Sequence, residues 1–149
     1  FRFIEFMPFD GNQWKREKTI SYQEIMEKVQ STYAEDHIIR LKDAPNDTAK
    51  NYRIKGHQGT FAIISTVTNP FCDQCNRIRL TANGQLKNCL FSQEENDLLT
   101  ALRNKQDLEP IIRLNLSKKF AVRSGMEGPE SFEDPKKHRQ NRSMITIGG

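Results

Sequence analysis

The sequence predicts an α/β fold, and three features predict it. An apolar opening run passes through a Pro- and Gly-bearing loop into a capped helix, a β-branched run occupies residues 61–68, and Asn83-Gly84 separates two short runs that read as hairpin arms. At 149 residues and 17.3 kDa the chain has room for a single domain with a true core, not for a two-domain enzyme.

Each element has its own local reason. Phe1-Arg2-Phe3-Ile4-Glu5-Phe6-Met7 is mostly apolar and is closed by Pro8 and Asp10-Gly11-Asn12, which predicts a buried strand with a loop at its C-terminal end. Arg2 and Glu5 are the odd members of that run. Ser21 followed by Glu24 is a capping box, and Ile25, Met26 and Val29 recur on one helical face, so residues 22–33 are predicted helical. Residues 34–59 are polar, carry Pro45, Asn46, Asp47, Gly56 and Gly59, and read as a connecting region with at most a short strand at 52–54. The strand at 61–68 is stopped by Asn69-Pro70 and delivers the chain to the first cysteine. A second capping box, Ser92 with Glu95, predicts a helix carrying Leu98, Leu99 and Leu102. Asp107 is predicted to cap another helix carrying Ile111, Ile112 and Leu114. Residues 123–143, with Gly125, Gly128, Pro129 and Pro135, read as a long loop, and no internal repeat is visible.

Composition removes several classes. Mean hydropathy is −0.74, and no apolar run approaches the roughly 20 residues a bilayer requires, which excludes a helical membrane span. The net charge of +4 is too small to argue for duplex nucleic acid but is compatible with a phosphorylated small molecule. Residue 1 is Phe and no signal pattern precedes the first strand, so the chain reads as a piece of a longer one. Three cysteines, an odd number, argue against a disulfide scaffold and for a reducing compartment.

All three cysteines fall within eighteen residues. Cys72-Asp73-Gln74-Cys75 is a C-x-x-C pair able to offer two thiolates to one metal centre, and Cys89 supplies a third. A two-residue Asn-Gly loop would pair Cys89 with Ile78 and turn it away from Cys75, Arg77 and Arg79. A three-residue loop, with Gly84 left-handed as a bulge, pairs Thr81 with Gln85, Arg79 with Lys87 and Arg77 with Cys89. The three-residue loop is predicted, with Cys75, Arg77, Arg79, Thr81, Lys87 and Cys89 on one face and Ile78, Leu80 and Leu86 directed to the core. A closed structural zinc site takes four protein ligands, so three thiolates leave an open coordination position. The competing readings are zinc completed by a distant His37, His57 or His138, inert thiols, or disulfide exchange; the last is disfavoured because no helix begins at Cys72.

Arg77 and Arg79 place two guanidinium forks beside the cysteines, which suits a triphosphate or carboxylate; the plainer alternative is a solvated strand face. Residues 113–142 hold eight basic and four acidic side chains, and within them Arg142 is the favoured anion contact. The terminal Gly148-Gly149 either frays or threads a narrow pocket where a Cβ would clash. The residues alone therefore give an α/β metal-binding domain with an anion site.

The run Phe71-Cys72-Asp73-Gln74-Cys75-Asn76-Arg77-Ile78-Arg79-Leu80-Thr81-Ala82-Asn83-Gly84-Gln85-Leu86-Lys87-Asn88-Cys89-Leu90-Phe91 closely resembles the C-terminal cluster motif of the GTP 3′,8-cyclase family, radical S-adenosylmethionine enzymes that open molybdenum cofactor biosynthesis. The resemblance extends from Arg2-Phe3-Ile4-Glu5-Phe6-Met7 to the closing Ile147-Gly148-Gly149, and Met7-Pro8-Phe9-Asp10-Gly11-Asn12 looks like the eukaryotic branch. It implies that residues 1–33 are the last strand and helix of an incomplete TIM-like barrel. Residues 34–149 would then be a C-terminal α+β domain whose antiparallel hairpin carries an iron-sulfur cluster.

The resemblance further implies that Cys72, Cys75 and Cys89 ligate a 4Fe-4S cluster whose fourth iron is open to the guanine ring of GTP. It implies that Arg77, Ile78 and Arg79 contact GTP, with both arginines at the phosphates, that Met7 contacts S-adenosyl-L-methionine, and that Arg2 lies near the site as a catalytic residue alongside Arg77 and Arg79. The glycine tail would reach into that site. The family's second 4Fe-4S cluster uses a C-x-x-x-C-x-x-C motif that does not occur here. The chain therefore looks like the C-terminal half of the enzyme and is expected not to cleave S-adenosylmethionine by itself. In the intact protein the adenosyl radical would abstract a ribose hydrogen from GTP, after which C3′ attacks C8. The implied partners are the missing N-terminal half, a second copy in a homodimer and the enzyme of the next step, with no nucleic acid and no membrane. The implied location is the mitochondrial matrix for a eukaryotic member and the cytoplasm otherwise. Two rivals stand beside this reading: a non-catalytic iron-sulfur or zinc module that binds a nucleotide or a protein, and an RNA-binding zinc module. The second is weakened because Phe71 and Phe91 sit where packing, not base stacking, would use them.

Overall fold

A computed structural model describes residues 1–126, 128–137 and 141–146, and these divide into two compact units. The first unit comprises Phe1–Met7 and Arg16–Cys75; the second comprises Pro8–Lys15 and the chain from Asn76 onward. Among the described residues no helix is long and apolar enough to cross a membrane.

In the first unit β1 (Arg2–Ile4), α1 (Tyr22–Gln30), β2 (Ile38–Arg40), β3 (Lys50–Ile54) and β4 (Thr60–Ile64) follow one another. They build a mixed sheet in the order β1-β4-β3-β2. β3 and β4 form an antiparallel pair with Tyr52 opposite Phe61, and their rings stack with centroids 5.2 Å apart. Ala62 and Ile63 on β4 are buried, as are Tyr52 and Ile54 on β3, so the core of this unit lies along the two central strands. The predicted capping box is formed: Ser21 Oγ accepts from Glu24 N at 3.2 Å and Glu24 Oε2 accepts from Ser21 N at 2.8 Å. The helix stops at Gln30, short of the expected Tyr33, with Ser31 as its C-cap.

Three expectations for this unit need correction. The opening strand is not buried: Phe3 is 45% and Ile4 58% exposed, because β1 is an edge strand paired only with β4. Its apolar side faces α1 across an open groove of about 490 Å³ lined by Phe3, Ile4, Phe6, Ile20, Ile25 and Val29. The strand at 61–68 ends at Ile64, because the Glu5 carboxylate takes the amide hydrogens of Val67 and Thr68 that a longer ladder would need. The connecting region holds β2 as well as β3; three residues are too few to show a period-two pattern.

In the second unit β5 (Arg79–Leu80), β6 (Gln85–Lys87) and β7 (Asn96–Asp97) form an antiparallel sheet with β6 in the centre, followed by α2 (Leu98–Arg103), α3 (Glu109–Ser117) and α4 (Pro129–Glu133). Its core gathers Phe9, Leu86, Phe91, Ala101, Met126 and Phe132. Phe91 stacks on Phe9 with centroids 6.1 Å apart and meets Phe132 edge to face at 5.7 Å. Phe91 is thus a packing residue, as its position in the sequence suggests.

The second capping box does not form. Asp97 caps α2 by accepting from Thr100 N at 2.9 Å, Asn96 and Asp97 join the sheet as β7, and the Glu95 carboxylate is held by Arg142 instead. Asp107 accepts from Glu109 N at 3.0 Å from one position outside the cap of α3, which is Leu108. The region expected to be all loop contains α4, begun by Pro129, whose missing N–H costs nothing at a helix start.

In the first unit Arg40 Nη1 donates to Asp43 Oδ1 at 3.0 Å, and Asn51 Nδ2 donates to the same oxygen at 2.9 Å, closing the turn after β2 onto β3. The Arg40 guanidinium holds the Asp43 carboxyl down at about 2 against its ordinary 3.8. Because the folded-state value is the lower one, this contribution is complete above the unfolded-state value and is lost as pH falls toward 2. Asp43→Asn is therefore expected to cost on the order of 1 kcal/mol at pH 6 and nothing further near pH 2. Chemical denaturation of both chains across that pH range checks it, and a constant difference between them would refute the assignment.

Candidate functional site

The cysteine segment begins as a tight turn in the first unit. Cys72–Gln74 form a single 3-10 turn in which Cys75 N donates to Cys72 O at 3.1 Å, so the two thiol-bearing residues stand at the two ends of one turn. Both are half-buried, as is Cys89 in the second unit, and none of the three is in a disulfide. Thiols on a C-x-x-C turn suit a thiolate-bound metal centre. Among the described residues no three His, Cys, Asp or Glu side chains are gathered as a metal-binding group.

Asn76 onward enters the hairpin, where the predicted loop is realised. Arg79 pairs with Lys87 and Leu80 with Leu86, Thr81 N donates to Gln85 O at 2.9 Å, and Gly84 N donates to Thr81 O at 2.9 Å. Residues 82–84 are thus a three-residue loop, with Gly84 at φ +77°. Its carbonyl accepts from Leu98 N and Leu99 N at 3.0 and 3.2 Å, so the turn also fixes the start of α2. The ladder ends at the Arg79–Lys87 pair and does not continue to the expected pairing of Arg77 with Cys89. Arg77 lies before β5, and its carbonyl accepts from Lys119 Nζ at 2.8 Å.

The burial expected for the two faces is revised. Leu86 is buried as predicted, but Ile78 and Leu80 are exposed, while Thr81 and Lys87 are buried. The reason lies in sheet order: β6 is central and covered on both sides, with α2 and α3 packed on it, whereas β5 is an edge. Arg77 and Arg79 are half-buried. Arg2 lies exposed on β1 opposite Ala62, and Met7 is half-buried beyond the end of β1. His138, Gly148 and Gly149 lie outside the described residues.

Lys87 has a role that its place in the hairpin does not reveal. It is fully buried, donates to Asn141 Oδ1 at 2.9 Å, and lies 3.7 Å from Glu95 Oε1. Glu95 in turn receives Arg142 through Nε at 3.0 Å and Nη2 at 2.7 Å. Burial pushes the Lys87 ammonium below its ordinary value, and the Glu95 charge works against that shift. The anion that Arg142 contacts is therefore an internal carboxylate. A cavity of about 670 Å³ in the same unit, bordered by Asn88, Phe91, Lys118, Phe120, Met126 and Lys137, carries no sequence signal because its walls come from separate stretches spread over residues 88–137.

The chain is thus of mixed α/β class, with a C-x-x-C turn at the end of its first unit and an arginine-bearing hairpin at the start of the main stretch of its second. The chain belongs to the Molybdenum Cofactor Synthesis C family, whose sequence profile matches residues 1–124. It is 44% identical over 151 residues to a protein of Arabidopsis thaliana named GTP 3′,8-cyclase, mitochondrial, covering 99% of this chain and 36% of that protein. It is 39% identical to molybdenum cofactor biosynthesis protein 1 of Homo sapiens, covering 98% of this chain and 22% of the relative. It is 35% identical to the GTP 3′,8-cyclase of Rhodopirellula baltica, covering 99% and 41% respectively. The chain thus spans well under half the length of each of these relatives.

Two stability predictions follow from the hairpin. A Cβ on Gly84 would lie 2.3 Å from Leu99 Cβ at a left-handed φ, so Gly84→Ala is expected to cost about 3 kcal/mol. Gly59→Ala, where a Cβ meets nothing within 4 Å, should stay within about 0.5 kcal/mol. Urea denaturation compares them, and a tolerated Gly84→Ala would refute the turn geometry. Glu95→Gln leaves a buried ammonium without its carboxylate and is expected to cost on the order of 3 kcal/mol, more than Lys87→Met, which removes the charge itself. The reverse order in the same assay would show that Glu95 does not hold Lys87.

Proposed function

We propose that this chain is the C-terminal part of a GTP 3′,8-cyclase, the protein that converts GTP to (8S)-3′,8-cyclo-7,8-dihydroguanosine 5′-triphosphate in molybdenum cofactor biosynthesis. The observation that supports the reading is the three-residue hairpin loop, which pairs Arg79 with Lys87 and Leu80 with Leu86 in the register that the motif's sequence calls for. Membership in the family and the names of the relatives support the substrate and the pathway.

In this reading Cys72, Cys75 and Cys89 ligate a 4Fe-4S cluster. The donor set fits: three thiols outside disulfides, two of them on one turn, with no fourth cysteine in the chain. When bound, such a cluster supplies an iron with an open position for the guanine ring. Arg77 and Arg79 hold the triphosphate by paired N–H donors, Ile78 lies between them against the nucleotide, and Lys119 fixes the backbone at Arg77 so that its guanidinium emerges from a set point. Met7 contacts S-adenosyl-L-methionine and Arg2 stands near the reacting nucleotide.

Residues 1–33 are read as the last strand and helix of an incomplete barrel, which the exposed edge of β1 supports, and residues 34–149 as the domain that binds cluster and GTP. The second 4Fe-4S cluster, and with it the radical, belongs to the N-terminal half. A second copy and the enzyme of the next step are the proposed partners, and the mitochondrial matrix is the proposed location, on the strength of the Arabidopsis relative's name.

Anaerobic reconstitution of the 149-residue chain with iron and sulfide is the test. About four irons per chain, with an EPR signal that changes when GTP is added and does not change in Arg77→Ala or Arg79→Ala, is the expected result. Uptake of one zinc with indifference to GTP would refute both the cluster and the arginine roles.

A further inference from the structure

Glu5 is the feature of the opening strand that the family motif leaves without a role. Its backbone N–H donates to Ile64 O at 3.1 Å, so it continues the β1–β4 pairing to the last residue of β4. Its side chain is 3% exposed and points into the turn that follows β4. There Oε2 accepts from Val67 N at 2.7 Å and Thr68 N at 3.0 Å, and Oε1 accepts from the Thr68 hydroxyl. Ser65 Oγ donates to Asn69 O at 3.2 Å across the same turn. Four residues beyond Thr68 comes Cys72.

A carboxylate buried to this extent is tolerated only when donors surround it, and two consecutive amide N–H groups with a hydroxyl supply three. The dependence runs both ways. Without the carboxylate, the amide hydrogen of buried Val67 loses its acceptor and that of Thr68 loses its protein partner, and residues 65–71 contain no helix or strand to hold them otherwise.

We infer that Glu5 is a positioning residue for the C-x-x-C turn: from the end of β1 it ties down the segment that presents Cys72 and Cys75. The anchor itself needs only the geometry of the first unit; its consequence for a bound cluster rests on the ligand reading proposed above. Glu5 touches no substrate and acts through the peptide groups of Val67 and Thr68. Gln at position 5 has almost the same volume but no charge: with its oxygen on the two amides and its NH₂ on the Thr68 hydroxyl, it replaces charge-assisted hydrogen bonds by weaker neutral ones.

The test uses the 149-residue chain without metal first. Hydrogen exchange at residues 65–75 and the rate of iodoacetamide capture at Cys72 and Cys75 are compared for wild type, Glu5→Gln, Thr68→Val and Ile63→Val. The last lowers the stability of the same sheet from the core without touching the anchor. Glu5→Gln is expected to speed both processes about tenfold, and Thr68→Val, which removes only the hydroxyl, to speed them less, while Ile63→Val leaves them near wild type at temperatures below its Tm. Glu5→Gln indistinguishable from wild type, or from Ile63→Val matched for Tm, overturns the inference. Should Glu5→Gln be too unstable to purify, Thr68→Val decides on the same criteria.

After reconstitution, Glu5→Gln is expected to shift the g-values of the reduced cluster's EPR signal, which a loss of global stability alone would not do. A wild-type chain that takes up no iron while Glu5→Gln still exposes both thiols would sink the ligand reading and leave the anchor standing. A wild-type chain that loads four irons, with Glu5→Gln loading the same cluster at the same g-values and the same thiol reactivity, removes the anchor and leaves the ligands.

Discussion

The left-handed turn at Gly84 is the constraint on which the second unit depends. A loop one residue shorter would slip the register by one and reverse the face of every side chain on one arm. Lys87 would then leave its place opposite Arg79, and its ammonium would no longer meet Asn141 and Glu95. The same turn places its carbonyl under the first amides of α2, where two N–H groups would otherwise lack partners. Register, helix start and charge burial are therefore set by one residue without a Cβ, and Leu99 occupies the volume that a Cβ would need.

Each unit then uses one buried charged side chain to tie a distant segment to a strand. In the first it is Glu5, 62 residues from Val67; in the second it is Lys87, 54 residues from Asn141. Burial makes such groups costly when alone and directional when satisfied, because only one arrangement of donors and acceptors answers them. An apolar side chain at either place would pack against many neighbours with similar energy and would hold no particular backbone atom. The segments they hold lie close in sequence to the cysteines: the turn that Glu5 ties down follows β4 and precedes Cys72, and β6, which carries Lys87, ends two residues before Cys89.

What could be read from the sequence divides along the same physical line. The hairpin loop was legible because its turn chemistry is local: Asn83-Gly84 supplies the left-handed residue, and the identities of the paired arms select the loop length. The cap at Ser21 was legible for the same reason. The identical signature at Ser92 and Glu95 failed because Glu95 has a stronger, remote competitor in Arg142, and Asp97 lies two residues on to cap the helix. Burial was misjudged at Phe3, Ile4, Ile78 and Leu80, since whether a strand is edge or central is a property of sheet order, which no local pattern encodes. The cysteine spacing is a local signal, and the ligand set it suggests belongs to the proposed function, while the contacts of Lys119, Asn141 and Glu5 involve partners more than forty residues away.

The basic excess of the C-terminal stretch shows why charge counts alone misplace an anion site. Arg142 grips Glu95, Lys118 lies 3.4 Å from Glu94, Arg113 pairs with Glu109 at 2.7 Å, and Lys137 donates to Ser131. Lys119 is spent on the carbonyl of Arg77, and Arg123 lies over the ring of Phe132 at 4.8 Å. A phosphate drawn to Arg142 would have to displace Glu95, which would leave the buried Lys87 ammonium without its carboxylate. That penalty keeps Arg142 structural. The stretch that looks like an anion-binding tail is therefore largely occupied with internal contacts, among them the hold of Lys119 on the backbone carbonyl of Arg77.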